Sequence, residues 1–266
     1  DPPKADGKDA DSAEAKAEAQ RAYSRKIKYG LIGVVIHEVG HIYFPMVVNS
    51  DERQWTWMDE GLNTFLEYVS ELEWEEDYPA FRDDTNVLDY IPKYMTSNNQ
   101  VPIMTQSDSI LQFGPNAYVK PAAALTVLRE TVMGRELFDF AFKEYAQRWK
   151  FKRPTPADFF RTMEDASGID LDWFWRAWFY ETGHVDVAIS DVRAYRLKRN
   201  DPDVDFALDR EEDARDKPEP VSIERNKAAG IVPRESRYET LQDLYSDNDR
   251  FTVTNKDRNT AAKDFK

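Results

Sequence analysis

The sequence contains no cysteine and no excess of basic residues, and each shortage excludes a class of protein. Without cysteine, disulfide scaffolds, zinc sites built from thiolates and cysteine nucleophiles are excluded. The chain has 50 acidic and 36 basic residues, a net charge of −14, whereas a nucleic-acid binder needs lysine and arginine to neutralise phosphate. We therefore expect no nucleic-acid partner. No apolar run approaches the ~18–20 residues that cross a bilayer, so we also expect no membrane span.

The chain has enough apolar sequence to fold, since 41% of its 266 residues are hydrophobic and 13% are aromatic. Residues 1–22 are rich in Ala, Asp and Lys and predict a flexible arm, helical at most from Ser12 onward. Residues 23–183 have mostly helical periodicity. In residues 184–266, alternation between Val185 and Leu197 predicts strands, and the charge-dense stretch 201–227 predicts a mobile loop.

Several helices are predicted within the middle segment. The stretch from Lys26 to Phe44 is apolar nearly all round, which is typical of a buried helix, and Pro45 is expected to end it. A second helix is expected from about Thr56, with Thr56 and Asp59 at the spacing of a capping box. Later helices are expected over Asn116–Thr131, Glu136–Trp149, Pro156–Gly168 and Leu171–Glu181. The aromatic residues of the last one favour a packed core over a substrate pocket.

Two of only three histidines lie in the motif HEVGH, at His37 and His41. Residues four apart on a helix project from one face about a turn apart, so both imidazoles can bind one zinc ion. Glu38 lies too far round the helix to complete a compact ligand set. It can instead take a proton from the attacking water, so we predict that it is the general base.

A third zinc ligand is needed, and Glu60 is the candidate. An 18-residue spacer separates it from His41, long enough for the second helix to fold back and present its carboxylate. Two histidines and one glutamate leave a position open for water, which is typical of a catalytic zinc site. The sequence therefore predicts one zinc ion per chain, held by His37, His41 and Glu60.

Other interpretations of the motif are weaker. Two buried histidines can be satisfied by hydrogen bonds in a core, although a chance match in an apolar helix is rare. A metzincin would place a third histidine where this chain has Val47. The class with a downstream glutamate, the gluzincins, remains.

Three stretches together resemble the aminopeptidase N family of zinc peptidases, peptidase family M1. They are HEVGH with Glu60 after its spacer, FGPNAYVKPAAALTVLRE, and RPTPADFFRTMEDASGIDLDWFWRAWFYETG. The resemblance runs from Tyr23 to about Val187. It implies a mainly α fold, the helical lobe of a thermolysin-like zinc peptidase domain, followed by the start of a β-rich module.

The resemblance also implies residue roles. Tyr118 would stabilise the oxyanion in the transition state, with packing in the core as the alternative. Glu67 matches a carboxylate position that supports a ligand histidine, with a solvated helix face as the alternative. The implied activity is peptide hydrolysis, with Glu38 as general base and a peptide as substrate. A hydrolase of non-peptide bonds that uses the same zinc site is the rival enzyme class.

One departure concerns the substrate's amino group. Family aminopeptidases carry a Gly-x-Met-Glu-Asn motif upstream of the first histidine, and the corresponding stretch here, GKDADS, has nothing similar. We therefore expect a chain that corresponds to the later part of a longer protein. The N-terminal remainder of that longer protein, as a separate chain, is an expected partner. Without this partner, the present chain could be an inactive fragment. The family resemblance favours a bacterial periplasmic or secreted location.

Overall fold

The computed structural model describes residues 13–75, 78, 87–185, 200–216, 219–233, 236 and 253–264. The chain divides into two compact units. The larger comprises Lys26–Val185 and Arg225–Arg237, and the smaller comprises Asp1–Arg25, Asp186–Glu224 and Tyr238–Lys266. Every residue predicted to take part in catalysis or metal binding lies in the larger unit.

The described residues are mostly helical, which confirms the mainly α prediction, and they contain no strand. The α-helices are α1 (Ala13–Gly40), α2 (Glu60–Trp74), α3 (Val87–Met95), α4 (Lys120–Val127), α5 (Arg135–Trp149), α6 (Pro156–Ser167), α7 (Asp172–Trp175), α8 (Pro202–Asp216), α9 (Val221–Ala228) and α10 (Asn255–Asp264). Segments of π-helix cover Ile42–Val47, Pro115–Val119, Leu128–Val132 and Arg176–Tyr180, and 3₁₀ turns cover Thr56–Met58 and Ser107–Ser109. The expected strands fall almost entirely on 186–199, outside the described residues, so the start of a β-rich module is not observed.

Helix α1 starts earlier and ends earlier than the predicted apolar helix over Lys26–Phe44. It begins at Ala13, next to Ser12, from which the arm is expected to be helical at most, and it ends at Gly40, short of Pro45. Phe44 leaves helical geometry with φ −115° and ψ 110°. The ring of a following proline disfavours the helical region for the residue before it, so the interruption precedes Pro45.

One face of α1 is exposed, so the prediction of a helix buried all round is wrong. Tyr29 and Gly33 are buried, whereas Ile42 just after the helix is exposed, as are apolar residues of the other face: Ile27, Leu31, Val34, Val35 and Val39. By length and composition alone, Ile27–Val47 is long and apolar enough to cross a membrane. This corrects the expectation that no segment reaches that length, although a structural helix of a folded domain passes the same test.

The start of α2 is fixed by aromatic packing. Trp57 is fully buried, and its ring centroid lies 5.7, 5.9 and 4.8 Å from those of Phe159, Phe160 and Phe179. The predicted capping box does not form: no side chain caps α2, and the Thr56 hydroxyl donates to the carbonyl of Glu52 at 2.8 Å. Packing of Trp57, not a side-chain cap, therefore fixes where α2 begins.

The remaining helices of the larger unit lie close to their predicted positions. Helix α6 has the full capping box between Thr155 and Asp158, and Gly168 ends it in the left-handed conformation at φ 70°. Phe174, Trp175 and Phe179 are buried, which confirms the core interpretation for them. The loop expected over 201–227 is wrong, because α8 and most of α9 lie within it.

Candidate metal centre

The last turn of α1 and the residue after it carry the histidine pair. His37 and His41 have ring centroids 4.6 Å apart with planes at 90°, and both side chains are mostly buried. The spacing of four residues produces this proximity, since such positions lie on one face of a helix. The structure thus places the two imidazoles side by side.

Glu60, the first residue of α2, meets both rings. Its Oε2 atom lies 3.1 Å from Nε2 of His37 and 3.3 Å from Nε2 of His41. One nitrogen of each histidine and one oxygen of Glu60 lie within 4.8 Å of one another. Three donor atoms from two helices therefore converge on one point.

The second nitrogen of His37 has its own partner. Nδ1 lies 2.9 Å from Oε2 of Glu67, which is buried on α2 two turns after Glu60. A carboxylate accepts, so Nδ1 donates, and in the neutral ring Nε2 keeps its lone pair. This confirms the contact implied for Glu67, and the alternative of a solvated helix face is wrong.

His41 is oriented in a different way. Its Nδ1 atom donates to the backbone carbonyl of Phe44 at 2.8 Å, while Oδ1 of Asp59 lies 3.1 Å away. Because a carbonyl oxygen can only accept, Nδ1 of His41 carries the hydrogen. In the neutral ring the lone pair is therefore on Nε2, as in His37. Burial, a hydrogen bond with Glu52 and the charge of Glu60 raise the pKa of Asp59 to about 8.

The donor set fits zinc. Ligand atoms about 2.1 Å from a tetrahedral ion are roughly 3.4 Å from each other, close to the two distances that Glu60 makes. Each histidine has a hydrogen-bond acceptor on the nitrogen that faces away from the site, as zinc-binding histidines usually do. Two imidazoles and one carboxylate also leave a coordination position for water.

The electrostatics of the site favour a cation. Burial lowers the pKa of His37, but hydrogen bonds to Glu60 and Glu67 and the charges of both carboxylates outweigh burial and raise it to about 10. Burial also raises the pKa of Glu60, yet hydrogen bonds with His37 and Tyr118 bring it below its usual value. The negative charge of the carboxylates therefore lies next to the nitrogen atoms of the two histidines, an arrangement that attracts a cation.

Tyr118 lies beside the candidate metal ligands, on the π-helical segment before α4. Its ring stacks on His37 with centroids 5.9 Å apart, and its hydroxyl hydrogen-bonds to Glu60. Burial raises the pKa of Tyr118, and the hydrogen bond and charge of Glu60 raise it further. Tyr118 is partly exposed, like His37 and Glu60, whereas its chain neighbours Ala117 and Val119 are buried.

Glu38 lies on the exposed side of α1, next to His37. Its charge contributes to the raised pKa of Tyr118, so the two side chains are close enough to interact electrostatically. The structure thus brings His37, His41, Glu60, Glu67 and Tyr118 together, with Glu38 at the solvent side.

Two contacts at the site have no counterpart in the sequence predictions. Asp59, assigned only to a helix cap, lies against His41, and its position next to Glu60 is the only signal that could have indicated this. The carbonyl of Phe44 carries no sequence signal, because any residue offers the same acceptor.

Comparison with known proteins identifies relatives for most of the chain. The profile described as the Peptidase family M1 domain matches residues 16–178. Glutamyl aminopeptidase of Sus scrofa is 25% identical over 177 residues, which cover 62% of this chain and 18% of the relative.

Two other relatives come from microorganisms. Aminopeptidase 2, mitochondrial, of Saccharomyces cerevisiae is 24% identical over 163 residues, 59% of this chain and 17% of the relative. Aminopeptidase N of Streptomyces lividans is 25% identical over 167 residues, 59% of this chain and 19% of the relative. The chain thus spans about a fifth of the length of the curated relatives it matches.

Proposed function

This chain belongs to peptidase family M1, and from that membership we propose that it carries the zinc site of an aminopeptidase that hydrolyses peptide bonds. The observation that carries the proposal is the convergence of His37, His41 and Glu60 on one point, with the far nitrogen of each histidine hydrogen-bonded. One zinc ion per chain is the proposed cofactor.

Glu38 is the proposed general base. Bound zinc would polarise the scissile carbonyl and acidify the attacking water. Glu38 follows His37 directly and is exposed, which places a carboxylate at the solvent side of the candidate ligands, where an attacking water would enter. Its carboxylate would accept the water proton and pass it to the leaving amine.

Tyr118 is the proposed donor to the oxyanion. Its raised pKa keeps the phenol protonated, and the hydrogen bond to Glu60 directs the hydroxyl towards the metal ligands. A neutral donor held beside the reacting carbonyl stabilises negative charge that develops on its oxygen. Stacking on His37 limits the movement of the ring.

Removal of free N-terminal residues is the proposed specificity. The relatives are named as aminopeptidases, including a glutamyl aminopeptidase and an aminopeptidase N. Peptides with free and with acetylated amino termini, together with a matched ester, test this specificity. Cleavage of free peptides alone supports it, equal cleavage of blocked peptides indicates an endopeptidase, and cleavage of the ester alone indicates a hydrolase of other bonds.

Substitution Glu38→Gln tests the chemistry. We expect the variant to keep one zinc ion per chain and to lose roughly 10²–10⁴-fold in turnover, the usual contribution of general-base catalysis. Glu136→Gln, at an exposed position of α5, is the matched control and should keep full activity. Near-normal turnover of Glu38→Gln would show that this residue is not the base.

A second proposal concerns the exposed apolar face of α1. We propose that the N-terminal remainder of the protein, supplied as a separate chain, covers this face and is needed for full activity. The supporting observation is the row of exposed side chains Ile27, Leu31, Val34, Val35, Val39 and Ile42 beside the metal ligands. Activity that rises on addition of this polypeptide to the zinc-loaded chain, and not to a Leu31→Lys variant, supports the proposal. Equal activity with and without it refutes the proposal.

A further inference from the structure

A polar contact joins α1 and α2 directly beside the candidate ligands. The side-chain amide of Asn63 donates from Nδ2 to the backbone carbonyl of His37 at 2.7 Å. The same carbonyl accepts the amide of His41 at 3.2 Å, the last hydrogen bond of this type in the helix. Asn63 therefore binds the backbone between the two histidines.

Gly40 makes this contact possible. A Cβ atom at position 40 would lie 2.0 Å from Oδ1 of Asn63, a distance at which something must shift. Asn63 is fully buried, and within the described part of the chain its Oδ1 receives no hydrogen bond. The amide is thus oriented by one hydrogen bond and by the space that Gly40 leaves.

The position of Asn63 on α2 connects this contact to the metal ligands. It follows Glu60 by three residues, so both side chains lie on the side of α2 that faces α1. A shift of α2 along or away from α1 would stretch the hydrogen bond to His37. It would equally change the distances from Glu60 to the two imidazoles.

We propose that Asn63 and Gly40 form a positioning contact that holds the carboxylate of Glu60 at the correct distance from His37 and His41. This inference rests on the proposed zinc site, and it assigns no role in the chemistry to either residue. The contact sets the geometry of the ligand set before metal binds. Loss of groups that orient ligands typically weakens metal affinity 10–100-fold.

The first experiment replaces Asn63 by leucine, which keeps the approximate shape and adds no charge. We expect zinc affinity, measured by competition with a chromophoric chelator, to fall about 10–100-fold. The visible spectrum of the cobalt-substituted protein should also change, because the ligand geometry changes. Thr64→Val is the matched control, since Thr64 is also buried and its hydroxyl has no hydrogen-bond partner among the described residues. Unchanged zinc affinity in Asn63→Leu, or an equal loss in Thr64→Val, overturns the proposal.

The second experiment tests the close approach and remains informative if Asn63→Leu does not fold. Gly40→Ala alone should weaken zinc binding strongly, because the new methyl group meets Oδ1 of Asn63. The double variant Gly40→Ala/Asn63→Ala removes that clash and should recover affinity to the level of Asn63→Ala. A double variant as weak as Gly40→Ala, or a Gly40→Ala variant that binds normally, overturns the proposal.

A failure of the proposed zinc site can be distinguished from a failure of the Asn63 contact. If the unaltered chain binds no zinc, the proposed function is wrong. Asn63 then cannot position zinc ligands. Unfolding of the metal-free chain then tests the contact itself. Gly40→Ala should lower the Tm by several degrees, and Asn63→Ala should restore part of the loss. Independent effects of the two substitutions would show that the contact does not exist.

Discussion

Two helix–helix contacts in the larger unit have opposite chemistry. Between α5 and α6 the buried contact is aromatic, with Phe159 of α6 fully buried and its ring centroid 4.8 Å from that of Tyr145 and 6.3 Å from that of Phe142 on α5. Such packing removes apolar surface from water and needs neither charge nor metal. We therefore expect its stability to be independent of pH and of zinc.

Between α1 and α2 the contact is polar. Glu67 and Glu71 on α2 and Glu75 just after it are buried at intervals of four residues, and Glu71 approaches α1 where Gly33 has no side chain. Burying carboxylates is costly unless hydrogen bonds or charges compensate. The comparison indicates that the aromatic contact maintains the fold, while the polar contact positions the candidate metal ligands, and we expect the polar contact to depend on pH.

The largest expected effect comes from breaking the aromatic contact. Phe159→Ala should lower the free energy of unfolding by about 3–5 kcal/mol, because the surrounding rings cannot fill the space that is left. Chemical denaturation at several pH values measures this loss, which should be the same at each pH.

The matched control is Phe140→Ala, because Phe140 is half exposed on the same helix, α5. We expect a change within about 0.5 kcal/mol for this surface position. An equal loss in both variants, or a loss in Phe159→Ala that depends strongly on pH, would contradict the assignment of stability to the aromatic contact.

Features fixed by local sequence were predictable. The spacing of His37 and His41 determines that they share a helix face, whatever surrounds the helix. The bounds of α6 follow from Thr155, Asp158 and Gly168, which act on the nearest backbone groups. For the same reason, the placement of both histidines needed no knowledge of the tertiary structure.

Features fixed by distant contacts were not predictable. The hydrogen bond from Asn63 to the His37 carbonyl depends on where α2 crosses α1, and no sequence pattern encodes a hydrogen bond to the backbone of another helix. From Lys26 onward α1 is apolar nearly all round, so its periodicity cannot indicate which side stays exposed. Phe44 offers only a carbonyl to His41, which every residue type possesses.

The second prediction removes a buried acid from the polar contact. Burial, followed by the charge of Glu67, raises the pKa of Glu71 to about 8. The folded protein therefore holds a proton that the unfolded chain loses near pH 4.5. Stability from this group is complete below that pH and is lost as the pH rises towards 8.

Glu71→Gln should flatten this dependence and stabilise the protein at pH 8 by on the order of 1–3 kcal/mol. Unfolding free energies between pH 5 and pH 8 measure the slope. Glu73→Gln, at an exposed position of the same helix, should leave the slope unchanged. A slope in Glu71→Gln as steep as that of the unaltered protein would show that Glu71 does not titrate in this range.

The third prediction, with the smallest expected effect, compares how much Glu67 and another buried acid contribute to zinc affinity. Glu67→Gln keeps an acceptor for Nδ1 of His37 but removes the charge, so zinc affinity at pH 8 should fall about tenfold, or about 1.4 kcal/mol. Glu75→Gln is the control, because this acid accepts from Tyr29 and lies two turns beyond Glu67. Competition with a chelator measures both affinities. An equal loss in the two variants would mean that the total negative charge near the site, not the charge on the hydrogen-bond partner of His37, determines metal binding.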